Sequence, residues 1–297
     1  MKTTLAMKAI LIVLIVASFL LLAGCGSSGG EKAAQTNYKQ GIKELQLNFL
    51  ENAPPKEIYP ESSFKVILEV DNQAAYDVTD SNIKIVGLDE KYFTLSETRT
   101  TIDLLSGRSL QFPEGERTYL PFDGFSGQLF ENAEQYKANF FLVADYNSQM
   151  DFSDSLCLAP NFYEVYDASC EKESKKTYSG QGAPLVLSQL EIITFPSDQG
   201  AELELRATLS NRGKGRIQSI YLGRVQLGGK ELECSINGKE GQKKIELGKE
   251  QQEVLVICRT DINGNSAYTT TLAMNFLFSY ELIQQKSLTL INPGVKS

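Results

Sequence analysis

Chemistry in this chain rests on carboxylates, because its 297 residues include no histidine. That excludes Ser-His-Asp and Cys-His catalysis, histidine general bases and nearly all catalytic zinc sites. Asp145, Asp151 and Asp154 crowd one stretch, and Glu114, Glu116 and Asp123 another. A glycoside hydrolase needs two such groups at a set separation in space. Spacing along the chain does not reveal that separation, and solvated loop charges are the expected reading. Calcium would take loop oxygens. Asp261-Ile262-Asn263-Gly264-Asn265 has the oxygen density without the EF-hand spacing, and Asp71, Asp77 and Asp80 form a second acidic stretch. Both read as turns, so no metal and no cofactor is expected.

The cysteines divide into one and four. Cys157, Cys170, Cys234 and Cys258 are an even set that an oxidising compartment would pair. Of three connectivities, the local one, Cys157–Cys170 with Cys234–Cys258, is favoured because it keeps each bridge inside one proposed domain. Without a C-x-x-C pair, neither a redox motif nor a zinc ribbon is indicated. Oxidised cysteines supply no thiolate nucleophile. Aromatic recognition is the remaining option. Phe112, Tyr119, Phe122 and Phe125 lie in a weakly patterned, Gly- and Pro-containing stretch, 98–134. It is expected to be a loop, serving either as a recognition loop on a rigid scaffold or as a cover for a sheet edge. The absence of Trp weakens a carbohydrate-binding reading, although 13 Tyr and 15 Phe leave it open.

Cys25 belongs to a different pattern. Lys2 and Lys8 precede an apolar run, Ala9 to Ala23, broken by Ser18, and the run ends in Leu22-Ala23-Gly24-Cys25. It is shorter than the roughly 20 residues of a membrane span and matches a signal-peptide core. The four-residue ending fits a lipobox, in which the cysteine is acylated and becomes the new N-terminus. The alternatives are an uncleaved N-terminal anchor and an ordinary cleaved signal; each puts the bulk of the chain outside the cytoplasm, at the outer face of the cell membrane if anchored. The whole sequence carries 29 basic and 37 acidic residues. Losing Lys2 and Lys8 leaves 27 against 37, a net charge of −10. Such a balance disfavours nucleic acid and anionic lipid surfaces as partners.

The elements positioning these residues read as strands. Phe64, Val66, Leu68 and Val70 alternate with polar residues, as does Glu202 to Leu209. Gly228-Gly229 is a two-residue hairpin signal. Tyr136–Tyr146 and Met150–Leu158 are expected to form a hairpin about Asn147-Ser148-Gln149, and Ser266–Ile283 and Lys286–Ile291 are expected to close the fold as two strands. Val66-Ile67-Leu68-Glu69-Val70-Asp71-Asn72 aligns with Leu205-Arg206-Ala207-Thr208-Leu209-Ser210-Asn211, an offset of a whole domain. The fold expected is all-β, with two tandem immunoglobulin-like β-sandwiches after an N-terminal signal or anchor helix. The boundaries are 1–24 signal, 25–39 tether, 40–170 first sandwich, 171–183 linker and 184–297 second sandwich.

A strand ending in Asn, a turn and a strand running into Gly-Leu or Leu-Gly resembles the immunoglobulin-like domains of bacterial and archaeal surface proteins. The cell-adhesion-related and NPCBM-associated types are the nearest. Asn48-Phe49-Leu50-Glu51-Asn52-Ala53-Pro54-Pro55, Ser179-Gly180-Gln181-Gly182-Ala183-Pro184 and Ala267-Tyr268-Thr269-Thr270-Thr271-Leu272 are similar to segments of uncharacterised archaeal membrane-anchored proteins. The resemblance implies architecture and address, not activity. The expected role is therefore non-catalytic: adhesion, envelope architecture or protein binding, with membrane lipid held through Cys25 and a surface protein as partner. An accessory binding protein for a glycan or small solute is the alternative, and a carboxylate hydrolase the third reading.

Overall fold

The computed structural model describes residues 37–130, 133–162, 169–197, 200–251 and 253–292. The lipobox and Cys25 lie outside them. Every described element is a strand: β1 (Leu45–Phe49), β2 (Ser63–Asn72), β3 (Val78–Val86), β4 (Phe93–Leu95), β5 (Arg99–Leu105), β6 (Arg117–Ser126), β7 (Gln135–Leu158), β8 (Lys175–Thr177), β9 (Leu185–Ser197), β10 (Gly200–Asn211), β11 (Arg216–Leu227), β12 (Lys230–Glu231), β13 (Cys234–Ile236), β14 (Lys244–Glu246), β15 (Glu253–Ile262) and β16 (Tyr268–Ile291). They build three sheets, ordered β1-β2-β6-β4, β13-β15-β10-β9-β8 and β12-β11-β16-β7-β3-β5, with β14 also on β11. All strand pairs are antiparallel.

The third sheet organises the rest. Along β7 and β16 the even-numbered positions are the covered ones, including Ala138, Phe140, Leu142, Tyr146, Met150 and Phe152 on β7. Strand side chains alternate faces, so this is one face. Phe140 meets Phe49 of β1 at 6.0 Å and Phe152 meets Tyr178 beside β8 at 4.8 Å. Both small sheets therefore cover the same side of the large one and leave its other side open. The buried side chains of all three sheets join one core.

The internal repeat is structural. β1, β2, β3, β4, β5, β6 and β7 correspond in order to β9, β10, β11, β13, β14, β15 and β16. The two strand-ending asparagines make matching bonds. Asn72 accepts from the Ala74 amide (3.1 Å) and donates to Tyr76 O (3.0 Å); Asn211 accepts from the Gly213 amide (3.1 Å) and donates to Gly215 O (2.8 Å). An amide side chain that closes its own turn in this way is why Asn sits at both sites.

The two repeats share their strands. β7 and β16 pair from Leu158↔Tyr268 to Gln135↔Ile291. β3 accompanies β7 only between Phe141 and Asn147, and β11 accompanies β16 only between Leu272 and Glu281. Each long strand thus runs on past its own repeat and adds the fourth strand to the other repeat's large sheet. The extensions are pinned. Ile58 N donates to Thr289 O and Ile291 N to Ile58 O (both 2.9 Å), while the Tyr76 hydroxyl bonds Asp151 O (3.1 Å) and receives from Asp151 N (3.0 Å). Where the repeats meet, the buried Glu44 carboxylate accepts from the Tyr280 hydroxyl (2.7 Å) and the Lys214 amide (3.0 Å). Gly213 is obligatory beside it, because a Cβ there would lie 2.6 Å from that carboxylate and 2.2 Å from the Tyr280 hydroxyl. Residues 171–183, expected as a linker, supply β8, and Gln181 bonds both the amide (3.0 Å) and the carbonyl (3.2 Å) of Leu187. Tyr38–Ser297 form one compact unit.

Three sequence expectations need correction. The hairpin about Asn147-Ser148-Gln149 does not exist; β7 passes straight through, since Ser148 keeps the inward phase between Tyr146 and Met150 and its hydroxyl donates to Asp77 O (2.8 Å). The two closing strands are one, β16. The stretch 98–134 is not one continuous loop, since it holds β5 and β6 with turns between them. By contrast, Gly228 and Gly229 form the expected hairpin turn with φ of 58° and 83°, joining Leu227 to Lys230.

Candidate functional site

The aromatic set expected on a loop does not converge. Tyr119, Phe122 and Phe125 belong to β6, where Phe122 is 2% exposed and packs in the core. Tyr119 and Phe125 stand on the outer face of the small sheet, and Phe112 is exposed in the preceding turn. Tyr119 and Phe125 lie six positions apart along the strand, roughly 20 Å. A groove of about 740 Å³ beside Phe125 is lined by Pro55, Phe64, Lys65 and Thr94 and does not include the other three aromatics.

Nor do the carboxylates form a catalytic pair. Asp145 and Asp151 lie on the open face of β7, six residues or roughly 20 Å apart, and Asp154 follows on the opposite phase. Glycosidase carboxylates stand about 5–9.5 Å apart. Each aspartate also has its own cation: Lys84 for Asp145, Lys39 for Asp151 and Lys176 for Asp154, all at 2.8 Å. Burial alone would raise Asp151 and Asp154. Hydrogen bonds from Lys39 and Asn275 to Asp151, and from Lys176, Tyr178 and the Ser155 amide to Asp154, outweigh it and hold both carboxyls below the usual range. Such groups are settled anions, the wrong setting for a general acid. Glu116 accepts from the Ser106 amide (2.6 Å), and Asp123 pairs with Lys65 (3.2 Å). No group of three potential metal-ligating side chains occurs among the described residues. Asp71 pairs with Arg117 (3.1 Å), Asp77 accepts from the Gly107 amide (2.8 Å) and Asp80 from Asn147 (3.2 Å).

Cys157 bonds Cys170, and Cys234 bonds Cys258, the local connectivity. The second bridge joins directly opposed residues of β13 and β15. Two such bridges belong to an oxidising, extracytoplasmic environment. No helix among the described residues is long and apolar enough to cross a membrane.

The surface that gathers unused functional groups is the open face of the large sheet. Where β3 begins at Val78, β7, β16 and β11 run on without it, leaving a groove of about 490 Å³. Thr79, Asn147 and Gln149 line it from the first repeat, and Ser219, Tyr221 and Leu277 from the second. A hydrogen-bonded row crosses its floor: Asn147 donates to Asp80 (3.2 Å) and accepts from Ser279 (2.8 Å), which is bonded to Ser219 (3.3 Å). The sequence hid this site because Asn147-Ser148-Gln149 has turn composition, so its polar side chains looked like a loop. Farther along the same face, Val86, Phe141 and Ile283 form an exposed apolar patch, Phe141 lying opposite Val86.

No family model matches the chain, and no curated protein matches it. Among solved structures it is similar to the sporulation control protein Spo0M from Bacillus subtilis, at 12% identity and a TM-score of 0.20 over 56% of this chain and 80% of that one. It is also similar to the E. coli chaperone DraB, at 10% and 0.20 over 77% and 84%. A third is the partial N-terminal region of an enterococcal surface protein, at 10% and 0.19 over 81% and 84%. Scores this low carry no argument about function.

Proposed function

We propose that this is a membrane-anchored, extracytoplasmic binding protein without catalytic activity, tethered through an acylated Cys25 and serving adhesion, envelope architecture or protein–protein binding. The observation that carries the reading is the open face of the seven-stranded sheet. Both repeats contribute to it, and it presents Val86, Phe141 and Ile283 to solvent on a rigid platform. Contiguous exposed apolar side chains mark interaction surfaces. The absence of histidine, the paired cysteines and the separated, neutralised aspartates agree with a role in binding rather than turnover.

Benzoylphenylalanine at Phe141 or Ile283, irradiated in native membranes, should give one reproducible protein adduct. Adducts formed from Phe125 and from neither of those positions would move the partner to the small sheet and overturn the assignment. Mass spectrometry of the same sample reads the state of Cys25; an unmodified Cys25 in the mature protein would remove the lipid anchor.

A further inference from the structure

We infer that the groove between Thr79 and Tyr221 binds a neutral saccharide. Its volume of about 490 Å³ falls within the roughly 300–1,000 Å³ of small-ligand sites, and it lies where two repeats meet, a common place for such sites.

The lining specifies the chemistry. The Thr79 hydroxyl, the Gln149 amide and the Tyr221 hydroxyl make no side-chain hydrogen bond to any described residue, and all three face the groove. Together they offer donors and acceptors in mixed order, which suits a ligand that is itself both donor and acceptor at each position, as vicinal hydroxyls are. The Asn147–Ser279–Ser219 row beneath is already bonded and holds the floor in place. Tyr221 and Leu277 are directly opposed across β11 and β16, 39% and 43% exposed. A ring beside an aliphatic side chain makes an apolar strip of the kind that takes the C–H face of a pyranose, with the phenol as a polar handle at its end.

Charge selects against other ligands. Of the two charged residues of the lining, Lys244 is paired with Glu246 (2.6 Å), while Asp77 is an anion held by the neutral Gly107 amide (2.8 Å). A phosphate or carboxylate would find no free cation there and would be repelled by Asp77. The inference goes beyond the protein-docking reading and rests on different residues. Failure of the Phe141 and Ile283 adducts leaves it standing, and its own failure leaves them untouched.

The test uses the full chain in a detergent without a sugar headgroup. Neutral tri- and tetrasaccharides of gluco, manno, galacto and N-acetylhexosamine units are compared with uronic-acid oligomers by saturation-transfer NMR and calorimetry. At least one neutral oligosaccharide should bind, and the uronic-acid series should not. Tyr221→Ala and Gln149→Ala should each weaken binding at least tenfold, and Phe125→Ala, in the remote groove, should leave it unchanged. If Tyr221→Ala fails to fold, the exposed Gln149→Ala decides. No binding across the neutral panel, tighter binding of uronic acids, or full affinity in the Gln149 and Tyr221 variants would each overturn the site.

Discussion

Phe122 of β6 pairs with Val66 and is 2% exposed; Cys258 of β15 pairs with Leu205 and is 1% exposed. These are the same position in the two repeats, and they fill it with different chemistry. In the first repeat a phenyl ring occupies the core, and the short edge strand β4 is held by Phe93, packed edge-on against Phe64 at 5.8 Å. In the second, a disulfide occupies the place and fastens the equally short β13 to β15. The strand order is common to both halves, while the means of securing an edge is local. Sharing runs deeper than likeness, because each repeat completes its large sheet with the other's strand.

Removal of that shared strand is the harshest challenge. Ending the chain after Glu281 deletes Leu282, Leu288 and Leu290, three buried side chains under the first repeat. The first repeat should lose its cooperative fold although none of its own residues is touched, read as lost amide protection in β2 and β3. A first repeat that melts normally in this truncation would break the comparison. Phe122→Ala should cost about 3–5 kcal/mol in urea unfolding, the usual range for a buried Phe truncated to a cavity. The double replacement Cys234→Ala with Cys258→Ala should cost about 3 kcal/mol in the same measurement, from the entropy of the loop it opens. A disulfide variant costing more than Phe122→Ala would reverse the ranking of the two solutions.

The smallest effect is acid sensitivity near β8. The Asp154 carboxyl is held low by Lys176, Tyr178 and the Ser155 amide against the opposing effect of burial. Its contribution is present above the ordinary aspartate pKa of about 4 and is lost as pH falls through the lowered folded value. Stability measured from pH 5 down to pH 2 should therefore decline, and Lys176→Met should flatten the decline by up to about 1 kcal/mol. An unchanged slope in that variant would show that the pair contributes nothing.

Much of this was legible in the sequence. Asn72 and Asn211 marked the duplication because the turn they close is chemically local, and Gly228-Gly229 named its own hairpin. What was hidden depended on partners distant in sequence. Pro121 and Gly124 read as loop residues inside β6. The bonds from Asn72 N to Glu116 O and from Ser126 N to Ser62 O direct the even residues of β6 toward β2. The nitrogen of Pro121 therefore faces the other edge, where β4 reaches only to Gly124 and no ladder bond is lost. Gly124 leaves room for the Phe64 ring, which would lie 2.4 Å from a Cβ there. The groove was concealed in the same way, since only the unbroken register with β16 turns Asn147-Ser148-Gln149 from a turn into a strand.

The most direct measurement is native-state hydrogen exchange on Phe122→Leu, a mild change in the first repeat, followed by mass spectrometry on peptides from both. If the repeats are one cooperative unit through β7 and β16, the slowest amides of β10 and β15 will lose protection by the same factor as those of β2 and β6. Loss confined to β1–β6, with β10 and β15 unchanged, would mean two independent domains in contact and would contradict the shared-sheet account.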